Sequence, residues 1–141
     1  MKATRILALL LALLLSLGTL AACGKEPPTG LWKNATYTED TTLGEGEHTL
    51  SVSMEMEGKL ILFTIKTDAK NVKDALLENG LIDGEQQAIG YLMSTLNGVR
   101  ADYEKDGAYW QFCQNGEALM YGIDSAEITG DASYEFIYTP A

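Results

Sequence analysis

Alternation of apolar and polar residues is clearest in "HTLSVSMEMEGKLILFTIKT", residues 48–67. Leu50, Val52, Met54 and Met56 fall on one face of an extended strand, with Thr49, Ser51, Ser53 and Glu55 on the other. A two-residue turn at Glu57-Gly58 then sets Met54 opposite Ile61, Val52 opposite Phe63 and Leu50 opposite Ile65. A slip of one residue would oppose serine to Phe63, so this register is well specified.

The period changes after residue 70. Asn71 is a good N-cap, and Asp74 three residues on forms a shortened capping box. Val72, Ala75, Leu76 and Asn79 make one helical stripe. Gly80 sits where a left-handed C′ residue belongs, and Leu81 can fold back on the last turn. A helix of about two turns survives only by packing on a neighbour, and the hairpin is at hand.

Three further runs read as strands. "YLMSTL" ends in Asn97-Gly98, "AYWQFCQ" ends in Asn115-Gly116, and "SYEFIYT" lies near the C-terminus. Asn-Gly favours tight hairpins because both turn residues take positive φ. Hairpin, helix, then more strands predicts an α+β domain: β-grasp-like, a mostly antiparallel sheet with one short helix packed across it. No internal repeat or low-complexity segment interrupts it.

The stretch "AYWQFCQNGEALMYGID", residues 108–124, concentrates aromatic side chains. A turn at Asn115-Gly116 predicts Gln114 opposite Glu117, Phe112 opposite Leu119 and Trp110 opposite Tyr121. Trp110, Phe112, Leu119 and Tyr121 would share one face, and Tyr109, Gln111, Cys113, Ala118 and Met120 the other. Neither face is plainly polar. Either the hairpin is covered on both sides, or one face meets something outside the domain. Aromatic cross-strand pairs routinely fill cores. Tyr109, Gln111 and Met120 also offer the flat, adaptable surface that ligand sites use.

The N-terminus has a different pattern. Lys2 and Arg5 precede "ILALLLALLLSL" and a run of small residues, the layout of a secretory signal. "LAAC", Leu20 to Cys23, resembles the lipobox of bacterial lipoproteins. That resemblance implies cleavage after residue 22 and a diacylglyceryl thioether on Cys23. Two acyl chains hold a protein far better than one, at about 0.8 kcal/mol per buried CH₂. An uncleaved membrane helix of about 18 residues would only just span a bilayer. The expected organisation is a signal peptide over 1–22, a lipidated cysteine with a Pro-stiffened tether over 23–31, and one domain over 32–141. This places the domain outside the cytoplasm, anchored to the bacterial cell membrane.

Loss of residues 1–22 removes two basic residues and no acidic ones, leaving 8 Lys+Arg against 20 Asp+Glu, a net −12. That balance argues against nucleic acid and against docking on anionic lipid. With Cys23 claimed by lipid, Cys113 has no partner for an intrachain disulfide. "DYEKDG", residues 102–107, begins like a calcium loop, but the twelfth position is Cys113, where a bidentate glutamate is required. It reads as an acidic turn. Cys113 with His48, the only histidine, would need contact and an orienting third group to act as a nucleophile. Nothing in the sequence brings them together. No serine elbow, metal spacing or phosphate loop is present, so the expectation is a non-enzyme with no catalytic residue and no metal.

The segments "TLGEGEHTLSVSMEMEGKLILFTIKTDAKNVKDALLENGLI", "GYLMSTLNGV", "DGAYWQFCQNG", "MYGID" and "ITGDASYEFIYT" resemble a family of bacterial surface domains of unassigned function. That family is similar in turn to the C-terminal β-domain of transcobalamin and intrinsic factor, the cobalamin carriers. The likeness spans about residues 32–139, and "AYWQF" is its most telling short match. It implies a β-grasp-like fold and a small-molecule ligand, with cobalamin or another corrinoid the specific expectation. Trp110 is the position carried over as a corrinoid contact, and Tyr109 and Gln111 flank it. In the carriers a separate helical domain covers the other side of the corrin, and this chain has none. An interaction module docking an envelope protein through a strand edge or the second hairpin face is the alternative.

Overall fold

The computed structural model describes residues 26–141. The expected signal peptide, the expected lipidation site Cys23 and the start of the expected tether lie outside the described residues. The nine strands are β1 (Thr41–Gly44), β2 (His48–Met56), β3 (Lys59–Thr67), β4 (Ile82–Gln87), β5 (Gly90–Leu96), β6 (Val99–Arg100), β7 (Ala108–Gln114), β8 (Glu117–Ala118) and β9 (Ala132–Pro140). Helix α1 (Val72–Glu78) follows β3, and a one-turn helix α2 (Tyr103–Asp106) precedes β7. A six-stranded sheet has the order β1-β3-β2-β9-β7-β8, and a smaller one has the order β4-β5-β6. The first is mixed: β1 runs parallel to β3 and β2 parallel to β9, while its remaining pairs are antiparallel. The class is α+β, mostly strand.

The first hairpin forms in the predicted register. Met54 faces Ile61, Val52 faces Phe63 and Leu50 faces Ile65. Glu57 and Gly58 supply φ values of 53° and 74°, the paired left-handed conformation that matches the twist of the strands. The inward residues of β2 and β3 are buried, and Leu62 and Lys66 remain outside. Helix α1 begins as its cap predicts: the Asp74 amide donates to Asn71 Oδ1 at 2.8 Å, and the Asn71 side-chain amide returns a bond to the Asp74 carboxylate at 2.9 Å. It ends with Gly80 at φ 66°, the Leu81 amide donating to Leu76 O and the Gly80 amide to Leu77 O. That is a Schellman closure. Val72, Ala75 and Leu76 are fully buried.

Three elements escape the periodicity. Strands β1 and β4 lie at sheet edges and are mostly half-buried or exposed, so no apolar face writes a period into them. Helix α2 stands where an acidic turn is expected, making two α-helices rather than one among the described residues. Asp102 caps it by accepting from the Glu104 and Lys105 amides, and Gly107 ends it at φ 60°.

The second hairpin starts in its expected register but is shorter than expected. Gln114 faces Glu117 and Cys113 faces Ala118, and the Leu119 amide still donates to Phe112 O at 2.9 Å. The ladder stops there, so Trp110 does not pair with Tyr121. Its cross-strand neighbour is Tyr138 of β9. The reason lies at the N-terminus of α1, whose first amides have no partner within the helix. The Val72 amide donates to Ala126 O and the Lys73 amide to Ile123 O, while the Ile128 amide donates to Lys70 O. To make these bonds and bury Ile123, Ala126 and Ile128, the chain must leave the sheet after Leu119.

The core lies between the inner face of the large sheet and a cover made of α1, Ile82, Leu96, Val99 and the 123–128 segment. Its polar hub is Asn97. This turn residue is 1% exposed, and its side chain accepts from the Tyr37 amide at 2.9 Å and donates to Tyr37 O at 2.8 Å. Its backbone joins Leu81 O and the Thr36 amide. Trp32 closes the near end, its indole donating to Met56 O at 3.1 Å beneath the Lys59 ammonium.

Candidate ligand cleft

Strand β8 pairs only with Cys113 and Gln114. The first half of β7 therefore has β9 on one side and no strand on the other. Strand β5 comes alongside with the α2 turn, leaving a cleft of about 530 Å³ lined by Leu92, Met93, Ser94, Ala101, Asp102, Tyr103, Glu104, Tyr109 and Trp110. A second cleft of about 410 Å³ adjoins it, bounded by Gln87, Ile89 to Leu92, and by Met120, Tyr121, Gly122, Asp124 and Ser125. Leu92 belongs to both.

The aromatic stretch divides between core and cleft. Trp110 is 8% exposed. Its indole donates to Val99 O at 3.1 Å and meets Tyr138 edge-on at 5.3 Å. Phe112 stacks on Tyr134 and Phe136, with centroids 5.2 and 5.1 Å away. Trp110 thus reaches the cleft with only a small part of its surface. Tyr109, 38% exposed, lines the same cleft. Gln111 is half-buried and lines neither cleft, so only two of the three predicted positions come together. Residues not singled out as candidates complete the surface: Leu92 and Tyr103 in the first cleft, Ile89 and Tyr121 in the second. Their signal was weak, since single apolar residues in polar runs such as "GEQQAIGYL" carry no period.

Polar groups at the clefts are few and placed. The Tyr91 amide donates to the Asp124 carboxylate at 3.2 Å. A Cβ on Gly90 would lie 3.1 Å from that carboxylate, and φ there is 137°, so glycine keeps this wall close. Burial, reinforced by Asp83, raises the Tyr91 phenol above its usual pKa. Asp106 accepts from Arg100 Nε and Nη2 at 2.8 Å each and from the Asp102 amide at 2.9 Å. Those bonds, Arg100's first, hold its carboxyl at about 2.

Cys113 is buried and unpaired, and burial, then Glu135, pushes its thiol upward. It sits opposite Glu135 on β9, whereas His48 opens β2 opposite Thr67. The registers separate the two by roughly 15–20 Å. Asp102 caps α2 through Oδ1 alone, and Asp106 is paired with Arg100. Among the described residues no group of three or more His, Cys, Asp or Glu side chains could hold a metal ion.

This arrangement, a mixed sheet with a small antiparallel sheet beside a solvent-open cleft, defines an α+β domain. Residues 69–136, from the approach to α1 into β9, match the family described as a domain of unknown function, DUF4430. Among solved structures, a candidate metal-binding protein from Ruminococcus gnavus is similar at a TM-score of 0.61 and 23% identity, covering 67% of this chain and 99% of that one. Haptocorrin, crystallised in complex with Cbi, is similar at a TM-score of 0.52 and 18% identity, covering 66% of this chain. The likeness spans 25% of haptocorrin's length. Among curated proteins none matches significantly. At these identities the two structures speak for the fold, and with the DUF4430 match they bear out the resemblance read from the sequence.

Proposed function

We propose that this chain is a non-enzymatic, extracytoplasmic lipoprotein, anchored through Cys23, whose β-grasp-like domain binds a small molecule with a flat apolar face. A corrinoid is the specific ligand proposed. One observation carries the reading. Of the nine exposed large apolar or tyrosine side chains among the described residues, Ile89, Leu92, Tyr103, Tyr109, Met120 and Tyr121 line the two adjoining clefts. Exposed apolar area gathered in concave surface marks a binding site far better than the same residues scattered. The β3-β2-β9-β7 order, with β2 parallel to β9, supports the β-grasp description. Haptocorrin's complex with Cbi supports the ligand class by analogy of fold.

Calorimetric titration of the full chain with cobalamin and with cobinamide tests it. Binding is expected, weakened about tenfold by Leu92→Ser together with Met120→Ser in a protein of unchanged circular dichroism. No heat at millimolar ligand would remove the corrinoid reading. Trp110→Ala is the wrong probe, because it deletes a core side chain and its hydrogen bond. Radiolabelled fatty acid incorporated into the wild type and absent from Cys23→Ser tests the anchor.

A second reading rests on the same geometry. The free edge of β7 could accept an extended segment of an envelope protein as an added strand. Crosslinking and pull-down from solubilised envelope, with Trp110 and Tyr109 flanking the probe, would return a specific partner if so.

A further inference from the structure

The charge and ring content of the first cleft define a ligand class more narrowly. This inference rests on the cleft being a ligand site, and it adds the sign of the charge. Three aromatic side chains, Tyr103, Tyr109 and Trp110, share the lining with two carboxylates, Asp102 and Glu104, and no basic side chain joins them. Just beyond Leu92 and Ser94, a neighbouring groove adds Asp83 and Glu85, with Lys105 the one cation there. The other nearby base, Arg100, is occupied by a two-point bond to Asp106. Four carboxylates therefore line the cleft and its neighbouring groove, against one ammonium, Lys105.

An aromatic ring presents negative potential over its face and attracts a cation, most strongly one that sheds its water easily. A quaternary or bulky ammonium does so, because its charge is spread over methyl groups. Carboxylates at the rim add a long-range attraction, in a mature chain of net −12. An anion would meet the same groups as repulsion. Tyr103 is 68% exposed and stands on the one-turn helix α2, free to settle over a bound group. Tyr109, 38% exposed, lines the same cleft, while Trp110, 8% exposed, offers a cation little ring face.

We infer that this cleft selects organic cations: it takes an alkylammonium group between Tyr103 and Tyr109, with Asp102 and Glu104 as counter-charges. A cationic form of a larger ligand would seat its positive region here and its flat apolar part toward Leu92 and Met120.

Choline and 3,3-dimethylbutan-1-ol have the same shape, with nitrogen replaced by carbon in the second. Each is titrated by NMR into the full chain in a maltoside detergent, at constant chloride. Choline is expected to bind about tenfold more tightly than the alcohol. Tyr109→Leu and Tyr103→Leu should each cut that preference several-fold, and Glu104→Gln about twofold, with the amide spectrum otherwise unchanged. Equal binding of the two molecules overturns the inference and leaves an apolar corrinoid site standing. Absence of binding by choline at about 50 mM overturns it as well. Selective choline binding with no corrinoid binding supports it and overturns the corrinoid reading alone.

Discussion

Glu57-Gly58 and Asn115-Gly116 are both two-residue turns with paired positive φ, 53° and 74° in one, 52° and 78° in the other. The first opens a ladder from Met56–Lys59 to His48–Thr67, and the second a ladder that ends at Cys113–Ala118. Turn chemistry is therefore not what separates the hairpins. In the first, both strands have a continuous apolar face above α1, so each further pair buries more area. In the second, the returning strand is needed elsewhere, because the amides at the start of α1 and the pocket for Ile123, Ala126 and Ile128 draw the chain away. A hairpin extends while pairing is its best available contact, and where it stops, side chains such as Met120 and Tyr121 are left in solvent. The candidate site occupies that interruption.

The contrast can be broken first at its strongest point. Phe63→Ala empties a fully buried position in the long hairpin and should cost about 3–5 kcal/mol in urea unfolding. Met120→Ser, at 98% exposure in the short one, should change stability by less than about 0.5 kcal/mol while weakening ligand. Comparable losses would mean that the second hairpin is packed more tightly than described.

Asn97 allows a finer cut, because it is both turn and clamp. Asn97→Ala strips the Tyr37 amide and carbonyl of their partners and strains φ at 52°, for an expected loss of about 2–3 kcal/mol. Asn97→Gly keeps the backbone free and isolates the clamp. If Asn97→Gly unfolds at the wild-type midpoint, the amide contributes nothing.

Next come the turn glycines. A Cβ on Gly98 would lie 2.4 Å from Asn34 O, whereas one on Gly116 meets nothing within 4 Å. Both take positive φ, so Gly116→Ala should lose about 1–2 kcal/mol and Gly98→Ala clearly more. The difference between their unfolding midpoints reads the close approach alone.

The smallest effect is on pH. Asp106 is held at about 2 by Arg100 and the Asp102 amide, below an unfolded value of about 3.9. A lowered carboxyl pKa stabilises the fold above the unfolded value, and the contribution fades as pH falls toward the folded one. The α2 clamp should thus be complete at neutral pH and open between about pH 4 and 2. A carboxyl NMR titration of Asp106 with its midpoint near 4 would show that the clamp does not hold in solution.

How far the sequence is legible varies by element. The β2–β3 register, the Asn71 cap and the Gly80–Leu81 closure are each stated by a few adjacent residues. At the site, Tyr109 and Trp110 were readable as candidates, while Gln111 was not separable from them, since adjacency in a strand says nothing of which groove a side chain meets. Leu92, Ile89 and Tyr103 were hidden because they come from the start of β5, the β4–β5 turn and a helical turn in polar surroundings.

What the chain itself determined is the set of local choices: which residues turn, cap and alternate, and hence an α+β domain with its first hairpin in register. These follow from steric limits on φ and from burial of one face, which act between near neighbours. Only the tertiary structure decided where β8 ends, which aromatics are core, and which meet in a cleft. Those outcomes depend on competition for the same backbone groups among segments about 50 residues apart, and that competition leaves no period in the sequence.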